Sequence, residues 1–80
     1  MTRPEINQYL AAIITTLDEV EFAPESSIYL AIGADMGKWE SLKSLLLAAG
    51  LATSKNHAMR ITPIGRELAA KLKTLVPALT

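Results

Sequence analysis

Three groups of residues in this 80-residue chain have the types and spacing that could do chemistry. Gly33-Ala34-Asp35-Met36-Gly37-Lys38 places two glycines before a lysine, in the manner of a loop that cradles phosphate. The glycines stand one residue too close for that, and Trp39 occupies the place of the Ser or Thr that would hold magnesium. A helix rather than a strand precedes the segment, and a turn between two helices accounts for every residue in it. His57 is the single histidine and has no second ligand at metal spacing. Catalysis by it would need a nucleophile and an orienting carboxylate, and no such trio can be named. Asp18, Glu19, Glu21 and Glu25 could together attract calcium, but they lack the alternating ligands and the glycine of a calcium loop. They read as a solvated connection whose charge favours the positive start of the following helix. There is no cysteine, hence no disulfide, thiolate metal site or cysteine nucleophile. The expectation is a protein that is not an enzyme and carries no metal or cofactor.

Size and composition point the same way. Residues 1–80 are enough for one domain with a single small core. Half of them are hydrophobic, yet there are only one Trp, two Tyr and one Phe, so that core must be aliphatic. No apolar run approaches the length that crosses a bilayer. Met1-Thr2-Arg3-Pro4-Glu5 reads as a helix start rather than a secretory signal, which makes a soluble cytoplasmic protein the expectation. Eight basic residues balance eight acidic ones. The balance is uneven along the chain: Lys55, His57, Arg60, Arg66, Lys71 and Lys73 face only Glu67 in the last third, so one basic side is compatible with neutrality.

The elements that must position these residues are four helices and a small hairpin. Thr2 and Glu5 have capping-box spacing and Pro4 suits a first turn. Ile6, Tyr9, Leu10, Ile13, Ile14, Leu17 and Val20 then recur at steps of three and four, one continuous apolar stripe. Glu21-Phe22-Ala23 is a brief extended piece with Phe22 as a core anchor. Pro24 opens a second helix that uses Ile28, Tyr29, Leu30 and Ile32 for contacts and ends at Gly33. Asp35 is the candidate cap of a third helix, over about Lys38 to Ala49. Trp39, Leu42 and Leu46 share one side of it, which favours a core role for the indole over stacking on a base. Glu40, Ser44 and Leu47 point the other way. Helix, glycine-containing turn and helix make a helix-turn-helix.

Gly50 stops the third helix and Leu51 folds back on it. Leu51 and Thr53 alternate with Ala52, and Met59 and Ile61 alternate with Ala58 and Arg60, as in a half-buried ribbon with Leu51, Met59 and Ile61 inward. Ser54-Lys55-Asn56-His57 supplies its turn. Thr62 caps a fourth helix with Pro63 at its first position. Ile64, Leu68, Ala69, Leu72, Leu75 and Val76 give it a wide stripe, Glu67 and Lys71 an exposed pair, and Pro77 its end.

Leu46, Ala49-Gly50-Leu51, Ile61-Thr62-Pro63 and Gly65-Arg66 together resemble the second half of a winged helix-turn-helix domain, as in MarR-like and related bacterial regulators. The likeness spans Ile6 to Leu75. It implies a mainly α, α+β fold with four helices and a two- or three-stranded antiparallel wing sheet. It also implies a transcription regulator bound to double-stranded DNA, with the third helix in the major groove and the wing on a neighbouring backbone. Carried over by position, Lys38, Ser41, Lys43 and Ser44 would face the groove, and Lys55, Asn56, His57 and Arg60 would lie on the wing. The third helix has no Arg, Gln or Asn to read guanine or adenine bidentately, and it presents Glu40 and Leu47. The alternative is therefore a winged helix that binds a protein partner through Glu40, Ser44 and Leu47. A homodimer through the first and last helices is expected from the breadth of the last stripe, which continues to Leu79.

Overall fold

The computed structural model describes the backbone of residues 2–79 and the side chains of residues 2–74. Its elements run α1 (Arg3–Val20), β1 (Phe22–Pro24), α2 (Glu25–Ile32), α3 (Met36–Ala48), β2 (Ala52–Lys55), β3 (Ala58–Ile61) and α4 (Pro63–Leu79). This is a mainly helical α+β arrangement with four helices and a three-stranded antiparallel sheet of order β1-β3-β2. No helix among the described residues is long and apolar enough to cross a membrane.

Local chemistry sets the helix ends. The Thr2 hydroxyl accepts a hydrogen bond from the Glu5 backbone N–H at 3.4 Å, and Asp35 Oδ1 accepts from the Lys38 N–H at 2.8 Å. Because Asp35 is the cap, α3 begins at Met36, two residues before Lys38. Gly50, with φ of +72°, ends that helix by letting the Leu51 N–H return to the Leu46 carbonyl at 3.0 Å and its own N–H reach the Leu47 carbonyl at 3.1 Å. Those two bonds satisfy carbonyls that a helix end otherwise leaves open. Thr62 caps α4 by accepting from the Gly65 N–H at 3.1 Å, while its own hydroxyl donates to the Gly50 carbonyl. Gly65 has to be glycine, since a Cβ there would collide with the Leu51 carbonyl oxygen. Backbone continues helical through Pro77 to Leu79, where an end was expected. Proline's fixed φ is itself helical, and what it removes is one donor.

One core joins all layers: Ile13, Ile14 and Leu17 from α1, Ile28 from α2, Trp39, Leu42 and Leu46 from α3, Ala52, Met59 and Ile61 from the sheet, and Ala69 from α4. Each fully buried aliphatic side chain contributes about 1.5–3 kcal/mol relative to exposure. The α1 stripe packs along α4 within the chain. Leu75, Val76 and Leu79, which the dimer expectation invoked, lie outside the described side chains.

Several expectations are corrected by strand register and helix phase. Phe22 is no core anchor: it pairs with Arg60, whose neighbours Met59 and Ile61 point inward, so it shares the outer face and is 54% exposed. Ala52 pairs with inward Ile61 and is buried, while Thr53 pairs with Arg60 and is exposed, the reverse of the expected alternation. The hairpin turn is narrower than four residues. The strands reach Lys55 and Ala58, leaving Asn56 and His57 with φ of +52° and +61° as a two-residue tip. Positive φ at both positions gives a connection whose twist matches that of the flanking strands. Val20, Leu30 and Ile64 are exposed rather than packed. Among the described residues the ion pairs are Lys43–Glu25, Arg66–Asp18, Arg66–Glu21 and Lys73–Asp18, so the Glu67–Lys71 pair is not made.

Candidate nucleic-acid interface

The surface implied for DNA is built from α3 and the hairpin tip. On α3, Ser41 and Ser44 are exposed and Lys38 is half-buried. The Ser41 hydroxyl donates to the Gly37 carbonyl one turn back, at 3.3 Å. At the tip, Asn56 and His57 are exposed. The Glu25 backbone N–H donates to the His57 carbonyl at 2.8 Å, docking the tip on the start of α2. A groove of about 470 Å³ lies between, lined by Ser26 and Tyr29 of α2, Met36, Glu40 and Lys43 of α3, and Asn56 and His57.

Glu25 forms the floor of that groove, and the sequence reading missed it. It is not part of a solvated connection: it is buried, at 7% exposure. Its Oε1 accepts from the Trp39 indole N–H at 3.1 Å, and its Oε2 accepts from the Ser54 hydroxyl at 2.7 Å. The Lys43 ammonium stands 3.1 Å from the same Oε2. Burial pushes the Glu25 carboxyl up. The hydrogen bonds from Ser54 and Trp39 and the Lys43 charge outweigh burial and hold the group below the usual carboxylate range. Above this knot the Tyr29 and Trp39 rings meet at 5.8 Å, tilted by 49°. A signal did exist in the sequence. Trp39 and Lys43 are one helical turn apart, so an indole N–H and an ammonium share a side and can converge on one carboxylate.

The site residues therefore divide among three places. Lys38, Ser41 and Ser44 lie on α3, and Asn56 and His57 at the tip. Lys43 lines the groove with its charge already partnered by Glu25. Lys55 and Arg60 stand on the outer face of the sheet, around a second hollow of about 370 Å³ that also includes Phe22, Thr53 and Asn56. There the rung Phe22–Arg60–Thr53 crosses three strands, and the Arg60 guanidinium lies 5.2 Å from the Phe22 ring centroid. A cation over an aromatic face is attracted by the ring's negative potential. Among the described residues Lys38, Lys55 and Arg60 make no ion pair, and the first of them lies between the Asp35 cap and Glu40 in the sequence.

The basic surplus of the last third is largely answered elsewhere. Lys73 Nζ reaches Asp18 Oδ2 at 2.6 Å, and Arg66 lies 3.4 Å from both Asp18 and Glu21. The Lys73 hydrogen bond lowers the Asp18 carboxyl, against some opposing desolvation, with the Lys73 and Arg66 charges adding to the lowering. Among the described residues no three His, Cys, Asp or Glu side chains gather as a metal site would require. No protein-family model matches this chain, and neither a curated protein nor a solved structure matches it.

Proposed function

We propose that this chain is a winged helix-turn-helix domain and acts as a small transcription regulator that binds duplex DNA through α3 and the β2–β3 hairpin. The observation that carries this reading is that α2, a tight turn and α3 are followed directly by a hairpin whose tip shares one groove with α3. A helix that can enter a major groove then stands beside a wing that can reach the adjoining backbone. The reading needs Lys38, Lys43, Lys55 and Arg60 on one side: Lys55 and Arg60 share the hollow on the outer sheet face, Lys38 lies on α3 outside it, and Lys43 is partnered by Glu25. Ser41 and Ser44 are the exposed hydroxyls of α3. With three cations at most, log affinity should fall against log salt with a slope of about −2 to −3. Such binding is weak and made mainly to the backbone. A homodimer through α1 and α4 would place two such surfaces on one DNA, and sedimentation showing only monomer at high protein concentration would remove that part.

Titration of labelled protein with mixed-sequence duplex at low salt tests the reading. Shifts should concentrate in α3 and residues 55–57. Lys55→Ala and Arg60→Ala should weaken all sequences alike, and Ser41→Ala or Ser44→Ala should alter preference among them. A titration that moves neither α3 nor the hairpin would overturn it.

A protein partner is the second reading, favoured by Leu47, which is 40% exposed on the side of α3 that carries Glu40 and Ser44. Leucines on a helix surface prefer a dry contact to a phosphate-lined groove. Loss of a captured partner on Leu47→Glu, with DNA inert, is the result that reading expects.

A further inference from the structure

We propose that Glu25 is the positioning residue of this surface: it fixes the hairpin against α3 and withholds Lys43 from any phosphate that enters the groove. The second half rests on the duplex-DNA reading, and the first does not.

One residue makes four links. Two run to the hairpin, from the Glu25 N–H to the His57 carbonyl at 2.8 Å and from the Ser54 hydroxyl to Oε2 at 2.7 Å. Two run to α3, from the Trp39 indole N–H to Oε1 at 3.1 Å and from the Lys43 ammonium to Oε2 at 3.1 Å. Among the described residues no buried side-chain polar atom lacks a partner, so the knot is satisfied as it stands. Removing the carboxylate would orphan donors on both elements at once. Lys43 is the informative member. Its side chain keeps 24% of its exposure and lines the groove with Glu40, Asn56 and His57, so an anion there would meet an ammonium already neutralised. Glu25 thus holds the count of available cations one below what the sequence offers.

The test uses the whole chain and a mixed-sequence duplex. Glu25→Gln keeps an acceptor and the side-chain length but drops the attraction for Lys43. It should bind severalfold more tightly at low salt, with a salt slope steeper by about one. Lys43→Met in the native background should leave the slope unchanged, and Glu25→Gln with Lys43→Met should return to the native slope. A merely structural role for Glu25 would not move the slope in that pattern. Two results overturn the withholding: a shallower slope for Lys43→Met alone, or an unchanged slope for folded Glu25→Gln. If neither the native chain nor Glu25→Gln binds duplex, the duplex reading falls and withholding falls with it. The positioning half is then decided separately. In Ser54→Ala and Lys43→Met, which each remove one link, the Trp39 indole N–H and the backbone amides of Asn56 and His57 should shift together. Indole and hairpin signals that respond independently would overturn it.

Discussion

Asp18 and Glu25 stand on either side of the first strand, and both look like members of one solvated acidic connection. They do different work. Glu25 is buried and takes three side-chain donors from α3 and β2, whereas Asp18 closes the α1–α4 seam through Lys73 and Arg66, two side chains that are 52% and 46% exposed. A pair in water is screened and contributes little. A carboxylate out of water is costly unless every lone pair is met, and once met it becomes costly to remove. The same residue class, within one short stretch, therefore holds the groove rigidly at one end and trims a surface at the other.

That contrast is sharpest in stability. Glu25→Ala leaves the Trp39 N–H, the Ser54 hydroxyl and the Lys43 ammonium without their acceptor, and should cost about 3 kcal/mol. The lower end of the range for a broken buried pair applies because Lys43 retains access to water. Denaturant unfolding monitored by Trp39 fluorescence measures it, and a loss no larger than that of Asp18→Ala would erase the distinction between the two regions.

Acid should separate them next. Glu25 titrates below its ordinary value of 4.5 in the folded chain, so its contribution is full above that pH and is lost as pH falls through the lowered value. Asp18 behaves in the same sense below its ordinary 3.8. Stability followed downward from neutrality should first decline in a phase that Glu25→Gln lacks and Asp18→Asn keeps. A first decline that persists in Glu25→Gln would show that Glu25 does not supply it.

A smaller effect is expected at the hairpin tip. His57 holds φ of +61°, a conformation that costs an ordinary side chain about 1–2 kcal/mol. His57→Gly should relieve it, for a net gain of about 0.5–1 kcal/mol after the added freedom of the unfolded chain. Thermal unfolding reads the sign. A loss would mean that the imidazole itself contributes to the groove. Smallest of all should be Asp18→Ala, whose melting temperature should stay close to that of the native chain.

Much of the fold was legible because local physics writes it. The α1 stripe as far as Leu17, the Asp35 and Thr62 caps, the Gly33 and Gly50 stops and the Trp39–Leu42–Leu46 face each need only nearby residues, and each stands where periodicity and capping chemistry put it. The site was less legible. Lys38, Ser41 and Ser44 lie at the surface of α3 but do not line the groove, which Asn56 and His57 share instead with Met36, Glu40 and Lys43, and that groove depends on how the hairpin lies. Phe22 was misplaced because a three-residue strand has no periodicity of its own and takes its facing from its partner β3.

What the sequence by itself determined is therefore the list of elements, their order, and the side of each helix that is apolar, since these follow from residues within a few positions of one another. Only the tertiary structure decided which charges are free. Glu25 finds Lys43 and Ser54, and Asp18 finds Arg66 and Lys73, across long separations in the chain. An ionic side chain carries no mark of its eventual partner. Its worth depends on the dielectric around it and on the donors that packing delivers, and both exist only once the layers have closed.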